Sequence, residues 1–220
     1  MKAFGALILG LFLQAYGLAQ SAEFEGDVHY LHMFSFKKKL PDSSGVLRYF
    51  GSSSTYSYRS ADYKWSFYDC MMESEYSHAA EGHVYNKYVG RDTFYFTRQS
   101  TGNRLISFDI TKNADTILGY PCDMIRVVIA TSDDPRDILI RNIFYSNDLP
   151  LDPKAYKHID AFCHNEVFPL IRSIPLRIDM MTPAWPFDIR FEAVKVEKRK
   201  VAMAEMILPA GAPVLETYER

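Results

Sequence analysis

Cys163, His164 and Glu166 lie within four consecutive positions, and thiol, imidazole and carboxylate are the side chains that ligate transition metals. Metal binding needs them to converge. On a helix Cys163 and Glu166 share a face, while His164 is turned about 100° from Cys163. His29 and His32 are three apart, which places them on opposite faces of a strand. These histidines are expected to be half-buried and hydrogen-bonded to neighbours, with no metal site. A hydrolytic triad needs a nucleophile, an imidazole and an acid brought together. The chain has no Gly-x-Ser-x-Gly elbow, and the small-residue run Gly51-Ser52-Ser53-Ser54 lacks the lysine of a phosphate-binding loop. Asp133-Asp134 falls in a turn. No catalytic residue, cofactor or metal is therefore expected, and the chain does not read as an enzyme.

The aromatic residues are more informative. Tyr56 and Tyr58, then Tyr63, Trp65 and Phe67, then Phe94 and Phe96 recur at every second position. That is the spacing of one sheet face. Such a face fills a core, or it lines an apolar pocket where a concave sheet is too wide for one helix to fill. Tyr56, Tyr58, Trp65, Phe67, Phe94 and Phe96 are the expected pocket residues. The cysteines Cys70, Cys122 and Cys163 allow three pairings. Cys122–Cys163 is preferred, because it would tie a strand to the helix that follows; buried free thiols are the alternative.

The elements that carry these residues are mostly strands. Phe24, Val28, Tyr30, His32 and Phe34 share a face of the first. Ser54–Arg59 and Tyr63–Tyr68 form a hairpin, as do His83–Val89 and Thr93–Thr97 around Gly90. Arg104–Ile110, Met124–Thr131 and Asp137–Tyr145 continue the meander, and Ile174–Met180, Phe187–Lys198 and Val201–Ile207 close it. Val46–Phe50 reads as a helical turn or a strand, and Met71–Gly82 has no clear form. Asp152-Pro153 starts a helix, with aspartate as cap and proline in the first turn. Ala155, Tyr156, Ile159, Phe162, Cys163 and Val167 then recur at helical spacing up to Phe168-Pro169. The expected fold is α+β: a large curved antiparallel sheet of about nine or ten strands, wrapped on one main α-helix.

The chain opens with Met1-Lys2, an apolar run from Ala3 to Leu13, and Gly17-Leu18-Ala19. This is the pattern of a secretory signal peptide, with cleavage expected after Ala19. Residues 20–220 then form a single β-rich domain that is periplasmic or secreted. The apolar run is too short to span a bilayer, so the mature protein is not expected to be integral to the membrane. Loss of the leader moves the net charge from −2 to −3, because it removes Lys2 and no acid. The basic stripe of a nucleic-acid-binding surface is missing.

Ile117-Leu118-Gly119-Tyr120-Pro121-Cys122 resembles the Gly-Tyr-x-Cys strand entry of secreted Gram-negative (Bacteroidota-type) proteins of unknown function related to the GLPGLI-type group. Phe144-Tyr145-Ser146-Asn147-Asp148-Leu149-Pro150-Leu151 resembles the aromatic segment that follows in those proteins, and Phe24-Glu25-Gly26 their start. The Gly-Leu-Pro-Gly-Leu-Ile string itself is replaced by Pro169-Leu170-Ile171-Arg172-Ser173-Ile174-Pro175-Leu176. More broadly, such chains are similar to the periplasmic lipoprotein carriers. That resemblance implies a LolA-like half-barrel with a cavity for acyl chains. By analogy it implies non-catalytic binding or carriage of a lipid or a lipoprotein acyl chain. The alternative is an envelope scaffold whose partner is another protein, and behind it an unrecognised hydrolase.

Overall fold

The computed structural model describes residues 23–37, 44–97 and 102–217. The leader, with its expected cleavage point, lies outside the described residues. Among those described, twelve strands form one open, curved sheet in the order β12-β6-β5-β4-β3-β2-β1-β11-β10-β9-β8-β7. The first half is a meander of hairpins: β1 (Gly26–Phe36), β2 (Ser53–Arg59), β3 (Asp62–Tyr68), β4 (Met72–His78), β5 (His83–Tyr88) and β6 (Phe94–Thr97). The second half is another: β7 (Arg104–Ile117), β8 (Tyr120–Ala130), β9 (Ile138–Pro150), β10 (Ser173–Met181) and β11 (Phe187–Lys198). The halves join where β11 returns antiparallel to β1, from Gly26↔Lys198 to Phe36↔Phe187. The short C-terminal β12 (Val214–Thr217) pairs parallel to β6.

Period-2 patterning and short turns explain most of this. Leu118 and Gly119 both take positive φ, 52° and 82°, which gives the tight turn between β7 and β8 a twist matching its strands. The polar segment before Gly82 becomes β4 because β3 and β5 flank it with matched registers. Its alternation is hidden in polar side chains.

Two expectations are corrected. The single helix over about 152–168 is broken. Pro153–Tyr156 and Ala161–Cys163 are short 3-10 turns, and only His164–Ile171 is α-helical. Asp152 does cap the first turn, accepting from the Lys154 N–H at 2.8 Å. The break comes at Phe162 and Cys163, with φ of 52° and 55°. The backbone of Phe162 is claimed by tertiary partners. Its N–H donates to Asn103 Oδ1 at 2.9 Å, and its carbonyl accepts from Arg141 Nη1 at 3.3 Å. Apolar spacing alone cannot register that competition.

The second correction is Val201–Ile207, which holds a single helical turn, Met203–Met206, and no strand. Beyond Lys198 the pairing with the start of β1 ends after one more bond, from the Arg199 N–H to the Glu25 carbonyl at 3.2 Å, because Phe24 turns away to the Pro150 carbonyl. Glu205 instead turns back to accept from the Ala202 N–H at 2.9 Å. The three α-helices of the described chain are thus α1 (Ser44–Phe50), α2 (His164–Ile171) and α3 (Met203–Met206). No helix among the described residues is long and apolar enough to cross a membrane.

The core lies on the concave face. Segment 153–171 rests there, with Ala155, Tyr156, Ile159, Val167 and Phe168 buried against inward residues of the sheet such as Val28, Tyr58, Ile143 and Ile189. The C-terminal segment around α3 crosses the convex face, against β3.

Candidate functional site

Segment 153–171 does not fill the concave sheet. Between them lies a cavity of about 310 Å3, at the lower end of the range for small-molecule sites. Its walls are aromatic, and the sheet register explains why. Tyr30 pairs with Ser54, Ser54 with Phe67, Tyr56 with Trp65 and Trp65 with Glu75. Paired residues share a face, so these side chains converge on one side. The Tyr56 ring stacks on Trp65 at 4.5 Å, and Phe168 from α2 stacks on Tyr156 at 3.7 Å. The Tyr58 and Tyr156 hydroxyls, 3.1 Å apart, link sheet to helical segment.

Four of the six expected pocket residues, Tyr56, Tyr58, Trp65 and Phe67, line this cavity. Phe94 and Phe96 do not, and this is a correction. Phe94 pairs with Lys87 and Phe96 with Tyr85, and Tyr85 pairs with Tyr76. That series has the opposite parity to Glu75, so Phe94 and Phe96 lie on the convex face. Phe94 packs there edge-on to Tyr76, at 5.7 Å. In the run Phe94-Tyr95-Phe96 both faces are aromatic, so alternation cannot tell which looks inward.

Cys70, Cys122 and Cys163 are all free thiols, and the expected Cys122–Cys163 bond is not made. Cys122 Sγ donates instead to the Tyr120 carbonyl at 3.3 Å. The Cys163 thiol is pushed up to about 11, first by burial and then by the nearby Glu166 charge.

Three polar groups stand on the apolar wall: Arg141 and Glu75, and His164, which the sequence singles out only as a candidate ligand beside Cys163. Arg141 is 3% exposed, and its Nε has no hydrogen-bond partner among the described residues. Burial brings its pKa down to about 10, which still leaves a cation at neutral pH. Glu75 accepts from the Tyr63 hydroxyl at 2.7 Å, and burial raises its pKa. His164 Nε2 also lacks a partner among the described residues. Burial, with the Arg141 charge second, holds its ring well below the ordinary pKa and so neutral. The Trp65 indole N–H is a further buried donor without an acceptor among the described residues. One sequence signal is available. In Leu139-Ile140-Arg141-Asn142-Ile143, the inward residues Leu139 and Ile143 are 2% and 0% exposed, and Arg141 stands between them.

His29 and His32 lie on opposite faces of β1 and bond to neighbours, as their spacing suggests; His29 is half-buried, whereas His32 is buried. His29, on the convex face, bonds Glu197 at 2.9 Å and Thr55 at 3.0 Å. Asp27, His29 and Glu197 present ligand atoms within 4.8 Å of one another. Arg199, however, already holds Asp27 through two bonds, at 2.6 and 3.1 Å. His32 lies on the concave side. Its Nδ1 donates to the Phe50 carbonyl at 2.9 Å, so its Nε2 accepts from Ser54 Oγ at 2.8 Å. The ring thereby satisfies the C-terminal end of α1. Both ring nitrogens are engaged in this way, and no carboxylate of the described residues stands behind the ring, as a serine-hydrolase triad would require.

No family model matches the chain, and no curated protein matches it. Among solved structures it is similar to an uncharacterized conserved protein from Thermus thermophilus, with a TM-score of 0.40 and 10% identity over 88% of this chain and 91% of that one.

Proposed function

We propose that this is an exported, non-catalytic binding protein that carries a hydrophobic or amphiphilic ligand, such as an acyl chain, in the periplasm or outside the cell. The observation that carries the reading is the aromatic cavity of about 310 Å3 between the sheet and segment 153–171. An apolar space of this size gains roughly 0.8 kcal/mol for each methylene it takes from water. The leader at residues 1–19 supports export, and the resemblance to lipoprotein carriers supports the class of ligand. The test uses Nile red, a neutral dye that brightens in apolar surroundings. The purified chain is expected to bind it at micromolar concentration. Ile178→Trp, which places a ring in the cavity, is expected to abolish binding while the far-ultraviolet spectrum is kept. Absence of dye binding by the folded wild type would sink the reading. N-terminal sequencing of the exported protein is expected to start at Gln20.

A second reading, an envelope interaction scaffold, has one observation in its favour. The edge strand β7 exposes Ile106, Phe108 and Ile110 at 50%, 45% and 42%. A stripe of that kind on a free sheet edge suits an added strand from a partner protein. A stable complex or dimer lost on Phe108→Lys would favour this reading.

A further inference from the structure

A cavity built only to hold hydrocarbon has no use for a buried guanidinium. Arg141 lines this one, is almost fully buried, and has no carboxylate of the described residues within ion-pair distance. The carboxylate in the wall, Glu75, is engaged by the Tyr63 hydroxyl. Arginine carries five donors and no acceptor, and an indole has one donor and no acceptor. Arg141 Nε and Trp65 Nε1 therefore call for acceptors that the described residues do not supply. Arg141 Nη1 has the Phe162 carbonyl at 3.3 Å, but a carbonyl brings no compensating charge, and buried charges are otherwise paired as well as hydrogen-bonded. Tyr56 connects the two sites: its ring stacks on Trp65, and it lines the same cavity as Arg141.

We propose that the ligand is a monoanionic amphiphile, a single acyl chain ending in a carboxylate, with Arg141 as the counter-ion of its head group. This rests on the binding reading above and narrows it. The single charge follows from the lining: Arg141 is the only lysine or arginine among the described wall residues. A dianionic phosphate head would leave one charge uncompensated in an apolar space. Carboxylate also matches the guanidinium fork geometrically, since two parallel N–H···O bonds form. Chain length follows from volume. The cavity, about 310 Å3, is at the lower end of the small-molecule range, which suits one chain of medium length. Decanoate is therefore a suitable probe.

The experiment measures displacement of Nile red by decanoate and by its neutral analogue 1-decanol, at pH 7.5. Wild type is expected to bind decanoate at least tenfold more tightly than decanol. Arg141→Met, which keeps the length and apolar stem, is expected to weaken decanoate at least tenfold and to bring its affinity down to that of decanol for the same variant. Equal affinity of wild type for acid and alcohol overturns the head-group assignment and leaves the cavity reading standing; that comparison needs no variant. If decanoate displaces the dye from Arg141→Met as it does from wild type, Arg141 is not the counter-ion. If neither the dye nor either amphiphile binds wild type, both proposals fall together.

Discussion

Arg199 holds Asp27 through two bonds of 2.6 and 3.1 Å, and the same guanidinium holds Glu205 at 2.7 and 3.0 Å. One side chain thus clamps the start of β1 to the turn of α3 over the convex face. Asp27 is 8% exposed while the Arg199 side chain is 36% exposed, so the pair is half-buried, with its carboxylate on the inner side. Removing one partner from such a pair leaves an uncompensated charge. Arg199→Ala is expected to cost about 1–2 kcal/mol in urea unfolding, between the values for exposed and buried pairs. Asp27→Asn in that background should restore part of the loss, because it removes the stranded charge. No recovery would mean that the clamp acts through packing.

Arg141 makes the opposite prediction for the ligand-free protein. A buried cation with an unmet donor is a standing cost to the fold, and apolar replacements of such groups are often stabilising. Arg141→Met is expected to raise stability by about 1–2 kcal/mol in denaturant melts of delipidated protein. A loss of stability would show that the Phe162 carbonyl, which Arg141 bonds, satisfies the charge within the fold.

Glu75 links the cavity to pH. Burial raises its pKa in the fold, against a smaller opposing effect of the Tyr63 hydrogen bond. An acid with a raised folded pKa keeps its proton while the unfolded chain has released it. Stability therefore falls as pH rises from the unfolded value, about 4.3, towards the folded one. Glu75→Gln keeps an acceptor for Tyr63 and does not titrate. Its melting temperature is expected to gain on wild type between pH 4 and pH 7. Parallel curves for the two proteins would refute a raised carboxyl.

The thiols can be counted directly. Burial raises the pKa of Cys70, Cys122 and Cys163 alike, each as the first cause. Native protein is expected to react slowly with a disulfide reagent, Cys70 first, because it is half-buried while the others are buried. In denaturant without reductant all three thiols of the chain should react. Recovery of a single thiol would establish a disulfide.

Strand positions with one apolar face are legible in the sequence. Alternation marks Phe187–Lys198 with both of its bounds, and the hairpin of β2 and β3 to within a residue. It fails where both faces carry the same chemistry. Phe94-Tyr95-Phe96 is aromatic on both sides, and β4 is polar on both. The helix break at Phe162 and the interior position of Arg141 depend on each other, since the guanidinium bonds the carbonyl that the helix gives up. The break does not follow from local pattern, because Arg141 and Asn103, which claim the Phe162 backbone, lie far from it in the chain; the inward place of Arg141 is marked by Leu139 and Ile143 on either side, against what its charge alone suggests. Tyr56, Tyr58, Trp65 and Phe67 can be found from sequence because their faces are unambiguous.

The seam between β1 and β11 has a consequence for synthesis. Asp27 and Arg199, at one end of it, are 172 residues apart. β1 therefore leaves the ribosome with one edge paired by β2 and the other open until β11, Phe187–Lys198, has been made. Contacts of such separation slow folding, and an open central edge invites pairing with other chains. The cavity, whose walls come from both sides of the seam, cannot exist before that last long strand docks. A chain truncated before Phe187 would expose a sheet edge in the middle of its own core.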